Sequence, residues 1–181
     1  KKKKKLFKKK KYKKKKNFKK KKKKWITLIK VDFINMFFNN KFILASSSLS
    51  RYKILKKNNL NFTKTKPKCN ENFLKKKLIK KKVPAKKISL VLARLKAKSI
   101  SLEKKKIIVV GSDTVISFEG TILSKAKNFF EAKKIIKKIC GKKHNIYSSA
   151  SAFYDNKEIW NFTQKSTVKI RELSNKEIQE Y

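Results

Sequence analysis

The 181-residue sequence is poor in the residues that punctuate or staple a chain: 3 Gly, 2 Pro, 2 Cys, 1 His and 1 Met. So little Gly and Pro excludes collagen-like and linker-like chains. Cys69 and Cys140 lack C-x-x-C spacing, which excludes a disulfide scaffold and a thiolate zinc site. They read as reduced thiols of a cytoplasmic protein. A single histidine, His144, excludes a multi-histidine metal cluster, and no G-x-S-x-G elbow is present for a Ser-His-Asp hydrolase. The phosphate loops G-x-x-x-x-G-K-[ST] and G-x-G-x-x-G are missing too. No apolar run approaches the roughly 18 residues needed to cross a bilayer.

Acids are also scarce, with 11 Asp plus Glu against 55 Lys plus Arg and a formal net charge of +44. Such an excess points first to nucleic acid or an anionic membrane surface. Two counts weaken that reading. Residues 1–24 alone hold 19 Lys and no acid, a block that repels itself and stays extended. Arginine occurs only at Arg51, Arg94 and Arg171, whereas nucleic-acid readers favour its planar fork. The Lys-, Asn-, Ile- and Phe-rich makeup fits an A/T-biased gene, so neither a specific nucleic acid nor a membrane is expected as partner. Residues 1–40 are expected to be a Lys-rich extension, disordered or unselected, with the natural start near Met36. The apolar stretch 25–38 is broken by Lys30, Asp32 and Asn35, and it makes a poor signal peptide behind so long a basic run.

From residue 41 the pattern is globular. Hydrophobic residues make up 39% of the chain, enough for one core. Residues 42–45 read as a short buried strand. Ser46, Ser47 and Ser48 offer N-caps to a helix carrying Tyr52, Ile54 and Leu55 that ends at Asn58 and Asn59. Residues 60–65 read as a strand. Residues 71–82 read as a helix with Phe73, Leu74 and Leu78 inward, closed before Pro84. The strongest helix is 86–104, with Ile88, Val91, Leu92, Leu95 and Leu102 in one stripe. Residues 107–110 form a continuous apolar run, expected of a strand covered on both faces. Residues 114–118 and 121–123 form a hairpin through Glu119 and Gly120. Asn128 with Glu131 opens a helix that Gly141 closes. Residues 146–154 and 158–170 are two long strands around Asp155 and Asn156, and Ser174 with Glu177 opens a last helix. Helices alternate with strands early and hairpins follow, so the class is a mixed α/β sheet.

Three places could carry chemistry. The Ser46 to Arg51 junction joins strand to helix, where free amides and the helix dipole bind phosphate and Arg51 adds a charge-assisted fork. Ordinary capping with a surface Arg explains the same residues. Asp113 follows the buried run, where ligands of open α/β sheets collect. It could hold a metal or activate water, or bond nearby amides in a turn opened by Gly111. Lys96 and Lys125 are two lysines among 52, and periodicity singles out neither: Lys96 lies at the edge of the apolar stripe, as Lys98 does.

The ordered segments FILASSSLSR (42–51), LARLKA (92–97), VGSDT (110–114), ILSK (122–125) and GKKH (141–144) together resemble the Maf (septum formation protein) family over about residues 41–181. The resemblance implies an elongated mixed β-sheet flanked by helices around a central cleft, in a cytoplasmic enzyme. It implies hydrolysis of the α–β phosphoanhydride of a nucleoside triphosphate to a monophosphate and pyrophosphate, with a divalent metal, Mg²⁺ or Mn²⁺. Members are often homodimers and are linked to arrest of septum formation. By the same resemblance, Ser46, Ser48 and Arg51 bind substrate phosphate. Glu71 and Asp113 hold metal, with Asp113 also taken as general base, and Lys96 and Lys125 neutralise developing charge. The chain departs from the family in having Leu49 and Ser50 within S-P-R-R, Leu95 before Lys96 and Ala126 after Lys125. The family's K-A-G-A-Y-G-I-Q-G-like segment does not follow the Ser174 helix, so the domain over 41–181 is expected to be C-terminally truncated. The alternative is a non-catalytic relative, either binding nucleic acid through its lysines or inhibiting division through protein contacts.

Overall fold

The computed structural model describes residues 41–180; the expectations for residues 1–40 lie outside them. The order is β1 (Phe42–Ala45), α1 (Leu49–Lys57), β2 (Phe62–Thr65), α2 (Glu71–Lys80), α3 (Ala85–Ser101), β3 (Ile108–Phe118), β4 (Thr121–Leu123), α4 (Phe129–Ile139), β5 (Lys143–Tyr154), β6 (Lys157–Lys169) and α5 (Asn175–Glu180). The strands form one six-stranded sheet in the order β2-β1-β3-β5-β6, with β4 also on β3. β1 is parallel to β2 and β3, and the other pairs are antiparallel. A mixed α/β sheet flanked by helices is what the sequence predicts.

Local chemistry sets the ends of these elements. The Ser48 hydroxyl accepts from the Arg51 amide to start α1. Asn70 does the same for α2 through Phe73, and Asn128 for α4 through Glu131, each satisfying an amide the helix itself cannot. Both hairpin turns put two successive residues in the left-handed region: Glu119 and Gly120 at φ 46° and 76°, Asp155 and Asn156 at 45° and 65°. That is the turn whose twist matches the flanking strands. Gly141, at φ 70°, follows α4.

Each face of the sheet has its own core. On one face α1 packs Tyr52 and Leu55 over Phe42, Leu44, Phe62, Ile108 and Ala152. On the other, α3 covers Ile43, Ala45 and Val109 with Ala97 and Ile100, and Val115 with Ile88 and Leu92. Leu74 and Leu78 of α2 lean on that second cluster. The α3 stripe differs from the expected one, because Leu102 lies past the helix end and is 54% exposed. What meets the sheet most closely is instead a row of small residues one turn apart, Ser89, Ala93, Ala97 and Ser101, each without exposed surface.

The largest departure from the sequence reading is in β3. It runs unbroken for 11 residues, through the stretch expected to turn at Gly111 to Thr114. Gly111 is not among the residues with positive φ. Its missing side chain serves close approach instead: a Cβ there would stand 2.2 Å from the Ala93 carbonyl oxygen and 2.5 Å from the Ala97 nitrogen. The α3 helix therefore lies directly on β3.

Polar bonds tie α3 to the hairpin β5–β6. Ser89 Oγ meets Ser149 Oγ at 2.7 Å, and Ser149 Oγ meets Thr163 Oγ1 at 2.8 Å. Arg94 Nε and Ser151 Oγ both donate to Glu158 Oε1 at 2.8 Å. Burial pushes the Glu158 carboxyl up, but these hydrogen bonds and the Arg94 charge outweigh it and hold the group below its usual value. A depressed carboxylate stabilises the fold above its unfolded pKa of about 4.3, and the contribution fades as pH falls through the folded value. Glu158→Gln should therefore lower Tm at pH 7 by an amount equivalent to no more than about 1 kcal/mol for so exposed a pair. The gap from the parent should close as the pH of the melts is lowered from about 5 to 3. A gap that widened in acid would contradict the assignment.

Candidate active site at a gap in the sheet

β1 accompanies β3 only as far as the pair Ala45 and Gly111. β4 joins the same edge of β3 from Ile116 onward. Residues 112–115 of β3 thus have no strand on that edge among the described residues, while β5 pairs along the other edge throughout. The candidate residues gather around this gap.

Strand alternation sends Asp113 to the α3 face and Thr114 to the α1 face. On the α3 face, Lys96 Nζ lies 2.7 Å from Asp113 Oδ1 and 2.7 Å from Glu71 Oε2. It also reaches the Ser112 carbonyl oxygen at 3.4 Å. Only 7% of the Lys96 side chain and 12% of Asp113 is exposed, against 38% of Glu71. Lys98, its rival in the sequence, is exposed. Lys96 is directed inward because α3 presses on Gly111, one alternate strand position before Asp113. Glu71 is the first residue of α2, where the helix dipole favours a carboxylate.

On the α1 face, Arg51 donates from Nη2 to Thr114 Oγ1 at 3.1 Å and from Nη1 to Ser46 Oγ at 3.4 Å. Ser46 Oγ also accepts from the Ser48 amide, and Thr114 Oγ1 lies 3.3 Å from Ser148 Oγ. Burial lowers the Arg51 guanidinium from its usual value, opposed by the charges of Asp113 and Glu71. Arg51 feels both carboxylates, so the two halves of the cluster form one electrostatic unit. An open depression of about 520 Å³, lined by Cys69, Asn70, Glu71 and Asn72, adjoins the cluster. Burial and the nearby Glu71 charge push the Cys69 thiol up, which makes it a poor nucleophile.

Six of the seven sequence-derived candidates, Ser46, Ser48, Arg51, Glu71, Lys96 and Asp113, therefore meet at the gap. Lys125 does not join them. It is exposed after β4 and makes no hydrogen bond or ion pair to the described residues. The chain nonetheless leaves β4 at Leu123, opposite Ile116, travelling back along β3 toward the gap. Thr114 and Ser148 escape the sequence reading. Alternation across the β3–β5 pair, where they are direct neighbours, is the signal that could find them.

Among the described residues no group of three or more His, Cys, Asp and Glu side chains could hold a metal. The chemistry of the donors still fits Mg²⁺ or Mn²⁺. Two carboxylates already converge on one cation, and Mg²⁺ commonly takes one or two carboxylates plus substrate phosphates.

The family model described as Maf-like protein matches residues 41–181. A nucleoside triphosphate pyrophosphatase of Pelagibacter ubique is 39% identical over 139 residues, which cover 77% of this chain and 71% of that protein. A 7-methyl-GTP pyrophosphatase of Bartonella henselae is 34% identical over 139 residues, covering 77% and 69%. A dTTP/UTP pyrophosphatase of Thermosipho melanesiensis is 32% identical over 142 residues, covering 77% and 70%. A solved HAM1 protein of Coxiella burnetii aligns over 70% of each chain at 11% identity with a TM-score of 0.42, too low to bear on the assignment.

Proposed function

The chain belongs to the Maf-like protein family, and from that premise we propose that it is a nucleoside triphosphate pyrophosphatase. It adds water across the α–β phosphoanhydride and releases a nucleoside monophosphate and pyrophosphate. The observation that carries this reading is the meeting of acids and cations from α1, α2, α3 and β3 at one gap, with Lys96 bridging Glu71 and Asp113.

The triphosphate lies over the N-terminus of α1, where the hydroxyls of Ser46 and Ser48 and free amides donate to its oxygens and Arg51 supplies a fork. Lys96, and Lys125 from the exposed segment after β4, balance the charge that builds on the departing pyrophosphate. In the ligand-free chain Asp113 engages Lys96 through Oδ1; with nucleotide bound, its carboxylate takes the proton of the attacking water. Glu71 and Asp113 would hold the divalent metal, which supplies Lewis-acid polarisation of a phosphoryl oxygen. The base and sugar extend toward the depression beside Glu71. We assign the working domain to residues 41–181. We place it in the cytoplasm, where free thiols such as Cys69 and Cys140 stay reduced; no helix among the described residues is long and apolar enough to cross a membrane.

A nucleotide panel tests the reading. UTP, dTTP, 7-methyl-GTP and the common purine triphosphates are incubated with the full chain and Mg²⁺ or Mn²⁺. At least one should give monophosphate and pyrophosphate in equal amounts. Release of orthophosphate with a diphosphate, or no turnover of any member, would refute it.

A further inference from the structure

The position of Lys96 has a meaning beyond charge balance. An ammonium group has three N–H donors, and three oxygens surround this one: Glu71 Oε2, Asp113 Oδ1 and the Ser112 carbonyl. Two carboxylates and a backbone carbonyl are also the hard oxygen donors that a small divalent cation selects. We propose that Lys96 fills the place of that cation in the ligand-free protein, and that it gives up this place only when an anionic phosphate takes its charge.

Electrostatics supports the exchange. With Lys96 in place the carboxylate charges are largely met, and Arg51 adds a further positive group that interacts with both acids. A divalent ion approaching alone finds its oxygens occupied and a like charge at contact distance. The backbone of Lys96 cannot retreat, because α3 rests on β3 at Gly111. Its four-carbon stem can swing, and withdrawal without a new partner would leave a cation unpaired beside a buried carboxylate. A phosphate group held by Arg51 and the α1 N-terminus is such a partner. Binding of metal and of nucleotide is therefore positively coupled, each raising the affinity for the other by the same factor. The identity of the anion rests on the pyrophosphatase reading; the competition between Lys96 and the metal does not.

The test uses the full chain and Mn²⁺ alone, without nucleotide, followed by calorimetry and by the paramagnetic resonance signal of free Mn²⁺. Lys96→Met should bind Mn²⁺ at least about tenfold more tightly than the parent, and Mn²⁺ should raise its Tm well above any rise in the parent. If Lys96→Met does not fold by circular dichroism, Lys96→Gln carries the same comparison, since it removes the charge but keeps N–H donors. Equal or weaker Mn²⁺ binding by a folded variant overturns the proposal. Tighter binding with no nucleotide cleaved by the parent supports the cation exchange and removes the pyrophosphatase reading. Cleavage by the parent with no gain in the variant does the reverse.

Discussion

Asp113→Asn should abolish pyrophosphate release and leave the fold in place. The amide has nearly the shape of the carboxylate, keeps an oxygen toward Lys96 and sits in the same strand between β5 and the gap. Lys96 keeps its bond to Glu71, so the ammonium is not stranded. What disappears is the charge that takes a proton from water and attracts a divalent ion. General base catalysis alone contributes about 10²–10⁴-fold. With the loss of a metal-binding carboxylate added, kcat/KM should fall by at least about 10³-fold, or roughly 4 kcal/mol of transition-state stabilisation. The measurement is pyrophosphate release on the best nucleotide of the panel, beside a circular dichroism spectrum and a melt. Turnover within about tenfold of the parent, from a folded variant, would remove Asp113 from the mechanism.

Gly111→Ala should damage both stability and activity. A Cβ there would meet the Ala93 carbonyl oxygen at 2.2 Å and the Ala97 nitrogen at 2.5 Å. Both are backbone atoms of a helix and cannot step aside as a side-chain end can. The helix must lift from the sheet by on the order of 1 Å, or β3 must bend away from it. Overpacking of ordinary cores costs about 1–3 kcal/mol, and a backbone-to-backbone contact belongs at or above the top of that range. For a domain of this size about 3 kcal/mol lowers Tm by roughly 10 °C. The helix that lifts carries Lys96, so activity should fall even at temperatures where the variant is folded. Gly120→Ala is the control. Its Cβ meets nothing within 4 Å, although its φ is +76°, so its cost should be backbone strain alone, about 1–2 kcal/mol. A Gly111→Ala melt no lower than that of Gly120→Ala would show that α3 does not rest on the strand as described.

The contrast between these two glycines also marks where sequence reasoning stops. Gly120 is legible, because Glu119-Gly120 between two apolar runs is a turn by local chemistry. The caps at Ser48, Asn70 and Asn128 are legible for the same reason, as is the alternation of helix and strand. Gly111 is not. Gly, Ser, Asp and Thr in succession are turn formers, and only pairing with β5 on one edge and coverage by α3 make the segment a strand. A contact between residues 93 and 111 leaves no local trace. The face of α3 that meets the sheet is hidden likewise, since Ser89, Ala93, Ala97 and Ser101 carry little hydrophobic signal while Leu102 carries much and is exposed. Lys96 is invisible among 52 lysines to any periodic argument and is singled out by family resemblance. Its burial then follows from the close approach of α3. Lys125 has the same resemblance behind it, but in the ligand-free chain it stays in solvent.

The gap in the sheet also bears on solubility. A strand edge with open amides and carbonyls is a template on which another polypeptide can add itself. Among the described residues the open stretch spans only residues 112–115, bounded by β1 at Gly111 and by β4 at Ile116. Strands commonly run five or six residues, so the notch is shorter than the segment that would have to dock in it. A compact ligand can reach those polar groups where a foreign strand is blocked at both ends. The site thus exposes backbone in the middle of a sheet without offering an edge long enough to seed aggregation.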